Sequence, residues 1–460
     1  MPKRVAPHQP NLLLIMADQW RFDYVGYAGA GFVNTPNIDR LATSGTVFTH
    51  CFTNGALCTP SRIALATGLN TERIGAVDNE AYLPRSVTTY YQRLRDEGYE
   101  VGCVGKLDLA KHDSYNGIRG RRPCTFGWGF TDPHEVEGKM HAGTSPTPIG
   151  PYTQHLQERG LLDAFHRDYR NARGGPRVAA SSVLAVGDFA DGYIGRRSAA
   201  WILDRTGEYP WHLFVSFVGP HDPYDPPADY SAKNQDQPVP EPIHAELSQR
   251  PPLFQRKARS RPDEHTAHAR RQYAASIEVI DDMVGEILAA LEETGERDNT
   301  IIVFTSDHGD MMGDLGLWQK TLPYDPANRV PLCIAGPDIP AGQVSEALVS
   351  LFDLNPTLCE MAGVPAQAGI DARSLVPLIH SPEPAKCGHR EACYFALRGF
   401  RGLRTRDRLY VQHSDGEREL YDMEADPHCQ RNLAPDLDRS ELVDWQRRLI
   451  AVGVEGQWRH

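Results

Sequence analysis

Nowhere in the 460 residues is there a run of eighteen apolar residues, which excludes a helix of the kind that spans a bilayer. The nine cysteines, Cys51, Cys58, Cys103, Cys124, Cys333, Cys359, Cys387, Cys393 and Cys429, include no C-x-x-C pair, so neither a zinc knuckle nor a dithiol redox site is indicated. Their odd number leaves at least one thiol unpaired. Basic charge is in short supply: 48 Lys and Arg stand against 60 Asp and Glu, for a net charge of -12. This argues against broad binding to nucleic acid or to an anionic membrane. A local cluster of cations can still outweigh the distant mean field, since salt screens charges beyond about 10 Å, so a small anionic substrate stays open. There is no fixed-period repeat and no low-complexity tract. The start, "MPKRVAPHQPNLLLIMADQW", carries basic residues and then an apolar run, but "LLLIM" is too short for the core of a signal sequence. We read a buried strand, in a protein of the cytosol.

What is present is the composition of a globular chain, 40% hydrophobic and 23% charged, long enough for one large domain with an accessory piece. Four apolar runs share one property. "NLLLIM" ends at Asp18-Gln19, "EVGCVG" at Lys106, "WHLFVSFVG" at Pro220-His221 and "TIIVFTS" at Asp307-His308. Continuous runs rich in Val, Ile and Leu suit strands covered on both faces. Helical patterns lie between them: "TPNIDRLATSG", "TTYYQRLRDEG" and "YAASIEVIDDMVGEILAALEETG", the last closing on Gly295. The expected fold is α/β, a large mostly parallel sheet sandwiched by helices. Ligands of such sheets bind outside the carboxyl ends of the strands, which makes the four polar strand ends one candidate site. Residues 111–190 and 224–270, rich in Gly, Pro, His and charge, read as long surface insertions near the site rim. Beyond them come short alternating runs, "EACYFALR", "FRGLRTRDRLYVQH" and "RELYDM", and a helical tail, "ELVDWQRRLIAVGV". They predict a small C-terminal antiparallel sheet plus a helix, and a division of the chain into 1–384 and 385–460.

Asp18, Gln19, Asp307 and His308 supply two carboxylates, an amide oxygen and an imidazole, an oxygen-rich set suited to Ca²⁺, Mg²⁺ or Mn²⁺. Any one such pair could equally cap the following helix. Two pairs at similar strand ends shift the balance to a metal. In "LCTPSR", Thr59 reads as an N-cap and Pro60 as the first helical residue, with the helix running from Ser61 to Ala66. A cysteine phosphatase would want its arginine six places after the cysteine and a loop of backbone amides; here Arg62 is four on and proline removes one amide. A merely buried Cys58 leaves the Pro-Ser-Arg unexplained.

The string Cys58-Thr59-Pro60-Ser61-Arg62 resembles the C-x-P-S-R motif of the type I sulfatases, in the alkaline phosphatase superfamily. The resemblance continues through "NLLLIMADQ", "TGLNTERIG", "VGK", "GPHDPY", "FTSDHGDMMGDLGLWQK" and "RVPL" to "LRTRDRLYV" and "ELYDMEADPHCQRNLA", in the family's order over essentially the whole chain. It implies a sulfuric ester hydrolase whose catalytic domain is 1–384 and whose small subdomain is 385–460. It also implies one divalent cation, Ca²⁺ in the first place with Mn²⁺ and Mg²⁺ as alternatives, held by Asp18, Gln19, Cys58, Asp307 and His308. Cys58 is implied to be oxidised to formylglycine by a formylglycine-generating enzyme. The aldehyde hydrates, one hydroxyl attacks sulfur in line with the departing alcohol, and loss of the second proton expels sulfate. Arg62, Lys106 and Lys320 are implied to surround the sulfuryl oxygens, His221 to protonate the leaving oxygen, and Asn79 to face the same group. The substrate is then a small anionic ester. Its alcohol half is not written in the sequence, nor is the oligomeric state, a homo-oligomer being allowed; Trp318 and Tyr224 are candidates to stack on a ring.

Two departures from the family pattern stand out. Where many sulfatases read Gly-Lys-x-His, this chain reads Gly105-Lys106-Leu107-Asp108, with His112 close by in sequence. Asp108 is expected to act as the base that breaks down the sulfated diol or to touch a cationic part of the substrate. Gln19 and His308 replace a common aspartate and asparagine, a combination that also resembles phosphonate monoester and phosphodiester hydrolases, the alternative activity. A non-catalytic anion-binding relative would require missing site residues, and apart from Asp108 none is missing.

Overall fold

A computed structural model describes residues 9–454 apart from 114, 175–179, 247, 249, 260, 366 and 384–386. The basic start before Gln9 and the division at 384/385 lie outside the described residues. Nine strands form the main sheet: β1 (Asn11–Asp18), β2 (Gly45–Phe52), β3 (Glu100–Gly105), β4 (Asp132–Glu135), β5 (Trp211–Pro220), β6 (Thr300–Ser306), β7 (Arg329–Val330), β8 (Leu332–Ala335) and β9 (Gln343–Ser350). Their order is β4-β3-β5-β1-β6-β8-β2-β7, with β9 also on β2. The five strands from β4 to β6 are all parallel, and β8 is antiparallel to its neighbours. All four apolar runs picked out from the sequence are therefore adjacent strands of one parallel block.

The side chains of β1 alternate faces, as the pleat requires. Leu13, Ile15 and Ala17 enter one core with the helices Ala190–Leu203 and Asp263–Thr294, whereas Leu12, Leu14 and Met16 enter a second with Tyr90, Leu94, Leu354 and Leu358. Burial of each large apolar chain contributes about 1.5–3 kcal/mol. Covering both faces leaves the strand ends as the exit for polar side chains. Register aligns those ends: Gly105 pairs with Ser216, Met16 with Ser216, and Ala17 with Ser306, so Asp18, Lys106 and Asp307 leave the sheet side by side.

The long helix covers Asp263–Thr294, ten residues more at its start than its apolar period indicates, and closes on Gly295 at φ 70°. Regions expected as plain surface loop are in part helical and buried, with helices at Lys139–Thr144, Pro151–Glu158 and Pro252–Lys257. Their polar residues are satisfied inside: Arg122 pairs with Glu135, and Glu137 accepts from the backbone of Tyr152 and Thr153, capping the second of these helices. The C-terminal part is the expected antiparallel meander, β10 (Cys393–Leu397), β11 (Phe400–Arg404), β12 (Arg408–His413) and β13 (Arg418–Asp422), followed by the helix Arg439–Val454. Phe395, Leu409 and Tyr421 of this sheet pack with Leu57, Leu317 and Tyr324 of the main body, under the site.

Candidate active site

Cys58 opens the site. The helix that carries it spans Cys58–Thr67 with Leu57 as N-cap, so it begins two residues before Pro60, the expected first helical residue, and Thr59 is not its cap. The reason is tertiary: Asn79 Oδ1 accepts the Thr59 N–H at 3.2 Å, supplying from outside the acceptor that the first turn needs, while Pro60 has no N–H to satisfy. The sulfur thus sits at the first helical residue, fully buried. Its Sγ lies 3.4 Å from His308 Nε2 and 3.8 Å from Asp18 Oδ1. Burial alone would raise the thiol, but Lys106, Lys111 and Lys320 outweigh it and hold Cys58 well below the ordinary thiol range.

Ligand atoms of Asp18, Cys58, Asp307 and His308 all lie within 4.8 Å of one another. Each carboxylate is gripped by a cation on one oxygen and presents the other to the cluster. Asp18 Oδ2 pairs with Lys106 while Oδ1 faces His308 Nε2 at 3.6 Å. Asp307 Oδ2 receives Arg62 Nε at 2.8 Å, and its Oδ1 accepts the backbone N–H of Gln19 and of His308. His308 Nδ1 is 3.0 Å from the Gly309 carbonyl. With the ring proton there, Nε2 keeps its lone pair for a metal, as outer partners of metal-bound histidines arrange. Burial pushes the Asp18 carboxyl up and so does Cys58, but Lys106, His221 and Lys320 bring it below the usual carboxylate range. The donor set therefore fits a divalent cation. Gln19, at φ 73°, is spanned differently: its Oε1 accepts from Lys320 Nζ at 2.6 Å and its Nε2 donates to Asp310.

Arg62, Lys106 and Lys320 lie around Asp18 and Cys58. Arg62, 2% exposed, donates through Nη1 to Lys106 O at 2.6 Å and Ser216 Oγ at 2.7 Å, and its Nη2 has no acceptor among the described residues. Lys106 is buried between Asp18 and Asp108, 3.0 Å from the latter, and half-buried Lys320 reaches Gln19. His221 is 5% exposed, with Nδ1 2.6 Å from the Asp222 carbonyl.

Asp108 adopts φ 53° and lies 2.9 Å from Lys111 Nζ as well as against Lys106. Burial alone would raise its carboxyl, yet the two ammonium groups keep it low. Lys111 is a site residue that sequence reasoning missed; the only local signal is its position three residues after Asp108. His112 is exposed and its ring tilts against Tyr82 at 5.9 Å. Tyr224 is not available to stack on a substrate: it is 1% exposed, its hydroxyl donates to Asp310 at 2.6 Å and its ring meets Tyr273. Trp318 donates to Arg259 O and lies under Arg261. Asp310 was also missed. It accepts from Gln19, Tyr224 and the backbone of Met312 and Gln319, and so orients the Gln19 amide.

Fold and site define a hydrolase of the alkaline phosphatase superfamily. The family model described as Sulfatase matches residues 10–364, and a second, N-sulphoglucosamine sulphohydrolase, C-terminal, matches 313–451. The chain belongs to the sulfatase family, and it is an enzyme of that kind. It is 26% identical to the Arylsulfatase of Clostridium perfringens, over 98% of this chain and 95% of that one. With the Choline-sulfatase of Rhizobium meliloti it shares 29% identity over 93% of this chain and 82% of the other. Among solved structures, the Phosphonate Monoester Hydrolase of Agrobacterium radiobacter superposes with a TM-score of 0.80 at 25% identity, covering 97% and 96% of the two chains.

Proposed function

We propose that this sulfatase cleaves a sulfate monoester of a small alcohol, with Cys58 converted to formylglycine by a formylglycine-generating enzyme. The observation that carries the reading is the convergence of Arg62, Lys106 and Lys320 on the buried Cys58 beside the Asp18–Asp307–His308 cluster. Because Cys58 and every other residue of its helix are buried, the modifying enzyme must reach the sequence before folding is complete. Bound among Asp18, Gln19, Asp307 and His308, a divalent cation supplies Lewis acidity, and formylglycine in its hydrated form supplies the nucleophilic hydroxyl. Ca²⁺ is our first choice of ion, with Mn²⁺ and Mg²⁺ as alternatives.

The chain's own residues do the rest. Arg62 Nη2, Lys106 and Lys320 hold the charge of the sulfuryl oxygens, a preorganised set that needs no rearrangement as charge moves. Lys106 and Arg62 also fix the two carboxylates so that the opposite oxygens face inward. With its Nδ1 proton on the Asp222 carbonyl, His221 exchanges protons through Nε2, the atom assigned to protonate the leaving oxygen. Asn79 is tied by its oxygen to the helix start, which leaves its NH₂ to face the same group.

A second reading, a phosphonate monoester or phosphodiester hydrolase using the same residues, is favoured by Gln19 and His308 in the ligand set and by the similarity to the Agrobacterium enzyme. Lys106 is our main reason to prefer sulfate. Turnover of an aryl sulfate and of the matching aryl phosphonate monoester, compared as kcat/KM, decides between them. A much larger value for the phosphonate would reverse the choice.

A further inference from the structure

The segment that carries His221 is held from behind by two buried residues that no motif marks. Asp191, fully buried, accepts the backbone N–H of Val218 and of Gly219 through one oxygen, both at 2.9 Å. Lys139, 8% exposed, comes from the short helix Lys139–Thr144 in the region after β4. Its ammonium donates to the carbonyls of His221 at 3.2 Å and Pro223 at 2.9 Å, and to Asp225 Oδ1 at 2.6 Å. All three of its protons are thereby used. The carbonyl that receives His221 Nδ1, that of Asp222, lies between the two carbonyls that Lys139 clamps. The direction of the imidazole thus depends on peptide planes fixed by a residue about eighty positions away in sequence.

We propose that Lys139 is a positioning residue for His221: by clamping the His221 and Pro223 carbonyls it fixes the Asp222 carbonyl and so aims Nε2 at the leaving oxygen. The inference rests on the reading of His221 as the proton donor. A bulky, buried ammonium could instead serve only to compensate Asp225, and the two roles separate by leaving group. An acid matters greatly when the departing oxygen is basic and little when it leaves as a stable phenolate. A residue that only supports the fold affects both substrates alike.

The experiment compares kcat and KM for 4-nitrophenyl sulfate and for unactivated phenyl sulfate in the wild type, His221→Ala, Lys139→Met and the double variant Lys139→Met/Asp225→Leu. The double variant removes both buried charges together, which proteins tolerate far better than loss of one partner, and so guards against simple misfolding. For His221→Ala we expect kcat on phenyl sulfate to fall by about 10²-fold or more, with little change on the nitrophenyl ester. For both Lys139 variants we expect a fall of roughly 10- to 100-fold on phenyl sulfate at near-constant KM, and less than about threefold on the nitrophenyl ester, the scale of a misaimed group. Equal losses on the two esters, or none in the double variant, while His221→Ala stays selective, overturn the role of Lys139 alone. If His221→Ala is itself unselective, the assignment of His221 falls and the inference falls with it.

Discussion

Replacing Asp108 with asparagine removes the carboxylate that Lys106 and Lys111 share at 3.0 and 2.9 Å. Lys106 keeps its pairing with Asp18. Lys111, 16% exposed, loses the only ion pair it makes among the described residues. Breaking a buried pair costs about 3–5 kcal/mol, and the low end applies to a side chain that still reaches some water. For 460 residues the unfolding entropy is about 1 kcal/mol/K, so Tm should drop by roughly 3 °C. The effect on the site has the opposite sign. An oxyanion bound about 2.8 Å beyond Lys106 Nζ would lie roughly 5–6 Å from the Asp108 oxygen, where a repulsion of about 3 kcal/mol at an effective dielectric near 20 would disappear. Lys111 screens part of that. Inorganic sulfate should therefore inhibit the variant about 10- to 100-fold more tightly, measured as a competitive inhibition constant beside a thermal melt. An unchanged inhibition constant with an unchanged Tm would show that Asp108 is not held between the two lysines. A collapse of kcat with unaltered sulfate inhibition would instead support Asp108 as a base.

Cys58→Ala should fold with a stability change of about 1 kcal/mol and show no turnover; activity in that variant, or full activity in a wild type whose intact mass equals that of the unmodified chain, contradicts the use of Cys58. Asp353 is buried, which alone would raise it, but Arg390 and His389 hold its carboxyl at about 2. A depressed folded value contributes stability that is present above the ordinary carboxylate range and lost as pH falls through about 2, here roughly 2 kcal/mol between pH 4 and 2; Asp353→Asn should flatten that part of an acid-unfolding profile, and an equally steep profile in the variant would refute the pairing. Chelation should lower Tm by about 3 °C for an ion present at about a hundred times its dissociation constant, with recovery on adding Ca²⁺, Mn²⁺ or Mg²⁺. A melt indifferent to chelator and ion would remove the Asp18–Asp307–His308 cluster as a metal centre.

Much of this molecule is legible before folding. Four apolar runs with polar ends are four adjacent parallel strands because burial on both faces admits polar side chains only where a strand stops. The same runs place Asp18, Lys106, His221 and Asp307 at the carboxyl ends of neighbouring strands. The three alternating runs after 390 form the four-stranded antiparallel meander, although both of its faces are covered, one by the main body and the other by the C-terminal helix. The residues that escaped notice, Lys111, Asp310, Asp191 and Lys139, share a different character: each is a polar group inside the protein, and a polar residue in a polar neighbourhood of sequence looks like surface.

What the sequence determined by itself was the chemistry available: the cysteine motif, the Asp18-Gln19 and Asp307-His308 pairs and the cations, together with the strands that carry them. Tertiary structure alone decided how those groups are used. It started the Cys58 helix two residues early because Asn79 arrives to take the Thr59 amide. It filled the space around Asp108 with two ammonium groups, and it withdrew Tyr224 into the core. A hydrophobic period is a local property and survives in one dimension, whereas a hydrogen bond or ion pair between residues tens to hundreds apart exists only once the chain has brought its partners together.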